Sequence, residues 1–221
     1  MIVTESFVFL HVPKTGGHFV QAVIRDHLPV EDYRVWTHTP YSELPARWQH
    51  LPAAIVVRNP WDWYVSWFQH QARRGQRRNP KNEWKQGIWD GVLRYGEADF
   101  REAITRACTG PLDHPVGPLM RDEGIDFYSA AIRTIAGAAL DRPDFTAMKF
   151  ERLRDSLLEF LSVHVRITPE LRAGIRDRPP KLVGQRGPYP GYYDEELAKL
   201  VGEKAGWLCE RFGYSFDQRP T

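Results

Sequence analysis

Cysteine is nearly absent: Cys108 and Cys209 are the two in 221 residues. A chain of this length can bury enough apolar surface to fold without cross-links, which excludes a disulfide scaffold and makes a reduced, cytoplasmic setting the expectation. No stretch reaches the roughly 18–20 apolar residues that span a bilayer. The opening segment, residues 1–12, lacks a basic n-region and a small-residue cleavage site, so it reads as a first strand rather than a targeting segment. No Cys or His cluster has metal-ligand spacing, and no metal is expected. The triphosphate loop G-x-x-x-x-G-K-[ST] occurs nowhere, which disfavours a triphosphatase or an ordinary kinase loop. There is neither an internal repeat nor a low-complexity tract.

What remains is 42% hydrophobic and 26% charged residues, enough for one ordinary core, and a single domain over residues 1–221 is expected. The formal charge of +2 conceals a run of Arg73, Arg74, Arg77, Arg78, Lys81 and Lys85. Such a run either faces water or meets an anionic partner, and both readings stay open.

Patterning supplies an α/β alternation. Phe7–Val12 is a short, partly β-branched apolar run ending at Pro13, as in a strand buried on both faces. From Gly17 the spacing of Phe19, Val20, Val23 and Ile24 becomes helical. Residues 33–37 and 53–57 read as second and third strands, with a helix over 42–49 capped by Ser42. Pro60 opens a further helix through Trp61, Tyr64, Val65 and Phe68. Residues 73–126 form an irregular basic and aromatic insertion holding one helix near 99–107. A helix at 127–138, a strand at 145–150, a helix at 153–161 and a long helix at 194–211 complete the chain.

Two motifs carry chemistry. Pro13-Lys14-Thr15-Gly16-Gly17 lies between a buried strand and a helix N-terminus. Glycines let backbone N–H groups approach an anion, and the helix dipole favours negative charge there. Val56 to Ser66 is a strand that delivers Arg58 at its end and Ser66 eight residues later. An arginine fork suits phosphate, and a serine on the following helix can donate to the same group.

Together these motifs resemble those of sulfotransferases that use 3′-phosphoadenosine 5′-phosphosulfate (PAPS), especially the carbohydrate-type branch. Phe9–Gly17 is similar to the family's 5′-phosphosulfate loop, and Arg58, Asn59, Pro60, Asp62 and Ser66 match its 3′-phosphate signature. Two positions depart from the pattern: His18 stands where the family has Thr or Ser, and Trp63 where it has a second arginine. Residues 148–153 and 192–197, with the ending 212–216, resemble later family elements.

The resemblance implies a three-layer, P-loop-like α/β fold with a central parallel sheet and helices on both faces. It also implies sulfuryl transfer from PAPS, as co-substrate, to the hydroxyl of a small-molecule or carbohydrate acceptor, releasing adenosine 3′,5′-bisphosphate. Pro13, Lys14, Thr15, Gly16, Gly17, His18, Arg58 and Ser66 would bind the donor, joined by Arg186 and Tyr189 from the loop before the last helix. Lys14 would neutralise the leaving oxygen. His38 follows the second strand and is expected at the same sheet edge, where a free imidazole titrating near pH 6.5 can act as base. His18, Asp62 and Glu43 are the other candidates for that role. No membrane or nucleic-acid partner is expected. The rival readings are a P-loop-like nucleotide kinase and a non-catalytic polyanion-binding module using residues 73–85. Trp61, Trp63, Trp67, Trp84 and Trp89 either stack on an acceptor or belong to a core.

Overall fold

The computed structural model describes residues 1–33, 38–76, 99–110, 112, 114–179 and 187–217. Its sheet has the order β3-β1-β2-β4-β5, built from β1 (Ile2–Val3), β2 (Val8–Phe9), β3 (Asp32–Tyr33), β4 (Ala53–Val57) and β5 (Thr146–Lys149). Strand β2 pairs with β4 and β4 with β5 in parallel, as alternating strands and helices require. Strand β1 is antiparallel to both β2 and β3. The expected first strand is therefore a hairpin. Thr4 makes its turn: its Oγ1 donates to the Phe7 carbonyl at 3.0 Å and itself accepts from the Ser6 and Phe7 N–H groups. Two antiparallel steps restore direction, so β3 runs in the same sense as β2 and β4. Its C-terminal end thus lies at their C-terminal edge.

The helices are α1 (Gly17–His27), α2 (Pro60–Gln76), α3 (Phe100–Thr109), α4 (Gly117–Glu123), α5 (Phe127–Ala136), α6 (Leu153–His164), α7 (Pro169–Arg176), α8 (Glu195–Lys204) and α9 (Gly206–Phe212). Residues 42–49 depart from the expected helix. They form two 3₁₀ turns, Tyr41–Glu43 and Ala46–Trp48, because Pro45 interrupts the run and Ser42 lies inside the first turn instead of capping it. The expected helix over 194–211 is broken at Ala205: the Lys204 carbonyl accepts from the Asp126 N–H at 3.1 Å and Gly206 opens a second helix. Asp99 and Asp194 cap α3 and α8 through their side chains.

The chain groups into two compact units, Met1–Arg58 with Ile132–Gln185 and Asn59–Ala131 with Arg186–Arg219. In the first, Phe7, Phe9, Ala54, Val56 and Met148 share a buried cluster with Val20, Val23 and Ile24 of α1, Leu157 and Leu161 of α6, and Leu171 and Ile175 of α7. The alternate residues Val8, Leu10, Ala53, Ile55 and Val57 are fully buried as well, so the sheet is covered on both faces in the three-layer α/β manner. Each of the larger of these side chains, Val, Leu, Ile, Phe or Met, contributes about 1.5–3 kcal/mol. In the second unit the core is aromatic: the Trp63 ring stacks on Tyr128 at 4.2 Å and on Trp67 at 5.7 Å. Among the described residues, no helix is long and apolar enough to cross a membrane.

Candidate active site

The loop after β2 folds as a tight left-handed hook. Lys14 has φ 62°, the one positive value at a non-glycine position among the described residues, and Gly16 follows with φ 83° as the N-cap of α1. A lysine in this region costs on the order of 1–3 kcal/mol, which surrounding contacts must sustain. Those contacts are present. Thr15, fully buried, donates to the Val12 carbonyl at 2.9 Å. Arg58 at the end of β4 donates from Nη1 to the Lys14 carbonyl at 3.0 Å. A Cβ on Gly16 would meet Leu153 Cδ2 at 2.7 Å and Phe150 Cδ2 at 3.1 Å, so glycine is required by space as well as by φ. Helix α1 starts with no side-chain cap and no acidic residue in its first turn, leaving its N-terminal end suited to an anion.

Three histidines meet beside this hook. His11, immediately before Val12 and Pro13, is 2% exposed, and its ring lies 4.8 Å from those of both His18 and His38. The His11 ring sits against Gly17, where a Cβ would come within 2.7 Å of Cγ and closer still to the Cδ2–Nε2 edge. His18 is exposed on the first turn of α1. His38 donates from Nδ1 to the His11 carbonyl at 2.9 Å. Because a carbonyl can only accept, the Nδ1 proton is fixed there and the neutral ring carries its lone pair on Nε2.

Burial lowers the His38 pKa to about 4, against a raising contribution from its bond to His11 and a further lowering by His18. His38 is thus neutral at pH 7, as a base must be, but it titrates well below the expected 6.5. Its burial makes the difference, outweighing the bond to the His11 carbonyl. His11 is pushed well below the usual range by burial and then by His38. Among the described residues no group of three or more His, Cys, Asp or Glu side chains could hold a metal ion, this cluster included.

Lys14, Thr15, Gly16, Gly17, His18, His38 and Arg58 are therefore brought together, with Pro13 buried at the start of the hook. Arg58 is 4% exposed and lies over the Phe150 ring, 4.1 Å from its centroid. Ser66 is half-buried on α2, in the second unit. Tyr189 is 4% exposed, with its hydroxyl donating to the Phe216 carbonyl and its ring edge-on to that residue's at 5.8 Å. Arg186 lies outside the described residues, as do most of the basic run and Trp84 and Trp89. Asn59 caps α2, its Oδ1 accepting from Trp61 N at 3.1 Å, while Nδ2 donates to the Ser215 carbonyl. Trp61 and Trp67 are buried with Trp63, which assigns these three rings to the core. Sequence reading missed His11 and Phe150. The signal for His11 was its place at the end of a buried strand, one step from the hook.

No family model matches the chain, and no curated protein does. Among solved structures it is similar to mouse sulfotransferase SULT7A1 complexed with PAP, at 15% identity and a TM-score of 0.56 over 96% of this chain and 89% of that one. The two share the sulfotransferase P-loop-like fold. Strand β1 makes the sheet of this chain mixed, with β2, β4, β5 and β3 aligned around it.

Proposed function

We propose that the protein is a PAPS-dependent sulfotransferase acting on a hydroxyl acceptor, in keeping with its carbohydrate-type loop sequence. The observation that carries this reading is the convergence of Lys14, the α1 N-terminus, Arg58 and a neutral His38 at one sheet edge. Cation, oriented N–H groups and base are what in-line sulfuryl transfer asks of a protein.

In this reading the acceptor oxygen bonds to sulfur as the bond between sulfur and the bridging oxygen of the donor breaks. The acceptor proton passes to His38 Nε2. Lys14 and the first N–H groups of α1 offset the charge that grows on the bridging oxygen. His18 supplies a donor where the family has a hydroxyl. Ser66, Arg186 and Tyr189 enter through the sequence resemblance alone, as does the treatment of all 221 residues as one transferase domain.

Incubation with sulfur-labelled PAPS and a panel of hydroxyl acceptors tests the reading directly, with label transfer expected. Thermal stabilisation by adenosine 3′,5′-bisphosphate but not by ATP with Mg²⁺ is the expected companion result. Stabilisation by ATP with Mg²⁺ and none by the bisphosphate would replace this reading with a kinase.

A further inference from the structure

The strain at Lys14 needs a holder, and the contacts around it identify one. Phe150, in the 3₁₀ turn Phe150–Arg152 between β5 and α6, touches two different partners. Its ring carries the Arg58 guanidinium 4.1 Å from the centroid, and its edge lies so close to Gly16 that a Cβ there would meet Cδ2 at 3.1 Å and Cε2 at 3.2 Å. Arg58 in turn donates to the Lys14 carbonyl. The hook is thereby gripped at both ends of its left-handed turn, at Lys14 through Arg58 and at Gly16 directly.

We propose that Phe150 is a positioning residue that, by stacking Arg58 and seating Gly16, holds Lys14 in the left-handed backbone its function requires. The ring fixes the plane of the guanidinium, and a fixed plane leaves Nη1 aimed at the carbonyl. An aliphatic residue of similar bulk fills space without offering that face. Arg58 consequently has a task within the protein besides any bond to a ligand phosphate. The Phe150 grip is independent of the overall reaction, whereas its effect on turnover rests on the sulfotransferase reading.

The test uses the sign of a stability difference. At an ordinary loop position with negative φ, glycine is less stabilising than alanine, because it leaves the unfolded chain more freedom. At φ 62° the order reverses. Lys14→Gly is therefore expected to melt above Lys14→Ala, by about 2–4 °C for a chain of this size.

In a Phe150→Leu background the hook relaxes and the difference vanishes or changes sign, while in Phe150→Tyr, which keeps the ring, it stays. Arg58→Lys provides the same comparison from the other side of the stack, should Phe150→Leu fail to fold. An undiminished glycine advantage in both Phe150→Leu and Arg58→Lys would overturn the proposal, and so would its absence beside wild-type Phe150 and Arg58.

With Lys14 restored, Phe150→Leu is expected to lower turnover on the order of 10²-fold, with a smaller loss in the melting shift caused by adenosine 3′,5′-bisphosphate because Arg58 and the hook glycines are still present. A normal stability pattern with no turnover in any variant, wild type included, would count against the sulfotransferase reading and leave the grip standing.

Discussion

One stretch of ten residues, Val57 to Ser66, serves two regions built on opposite principles. Arg58, at its start, joins an edge where polar groups are buried on purpose: His11, Thr15 and Arg58 itself are each under 5% exposed, and the backbone at Lys14 is strained. Trp63, five residues on, joins an apolar stack with Tyr128 and Trp67 in which ring faces lie within 13° of parallel. The first region holds unfavourable features in place by directed hydrogen bonds. The second holds itself mainly by area, and its fully buried carboxyl Asp126 accepts from the Tyr64 hydroxyl at 2.7 Å. A position in a motif therefore does not announce its task. Trp63 occupies a slot that in the family pattern holds an arginine, and here the slot belongs to the core.

Substitutions that separate stability from chemistry sharpen this contrast. The largest effect is expected from Trp63→Ala, which should cost about 3–5 kcal/mol, as removal of a fully buried aromatic generally does. Trp63→Arg should be at least as damaging and should not tighten bisphosphate binding; a stable Trp63→Arg protein with stronger binding would return the residue to the donor site.

Next comes Lys14→Ala, expected to lower sulfuryl transfer by about 10²–10³-fold with bisphosphate stabilisation largely kept, because its charge acts on the transition state. An active Lys14→Ala enzyme would remove the mechanism. Smaller again, Arg58→Ala and Ser66→Ala should weaken the bisphosphate by about 10–100-fold while sparing AMP, as loss of a charge-assisted phosphate contact would. Equal stabilisation of the wild type by AMP and bisphosphate would contradict a 3′-phosphate role for either residue.

How much of this was legible depended on the range of the interactions involved. The hook was visible because Lys14, Gly16 and Gly17 act within five residues, and the helix starts at Asp99 and Asp194 because a cap is a local bond. The β1–β2 hairpin was hidden since Thr4-Glu5-Ser6 interrupts a run whose apolar residues otherwise read as one strand. His38 lies beside His11 although β3 is antiparallel to its neighbour, because two reversals leave β3 running with β2. The break at Ala205 depends on Asp126, some 80 positions earlier, and no window on the helix itself could reveal it. Phe150 escaped for the same reason: its partners, Gly16 and Arg58, are distant in sequence.

The two regions should also answer acid in opposite directions, which gives the smallest effect and the cleanest contrast. Burial holds His38 near pKa 4 in the folded protein, below the value of about 6.5 that it has when unfolded. Between those values the unfolded chain takes up a proton that the folded one refuses, so stability falls as pH falls, by about 1.4 kcal/mol per unit for this one group. His11, lowered for the same cause, adds to the same slope. Asp126 is raised by burial, so its contribution is present at low pH and lost as pH rises through its folded value. Thermal unfolding from pH 6.5 to pH 5, a window above the ordinary carboxylate values, should therefore show a decline in wild type that His38→Gln flattens. Asp126→Asn should steepen the decline, or leave it unchanged if Asp126 has finished titrating below pH 5. Superimposable slopes for wild type and His38→Gln would mean that His38 is not held neutral by the fold, and the case for it as the base would fall with that result.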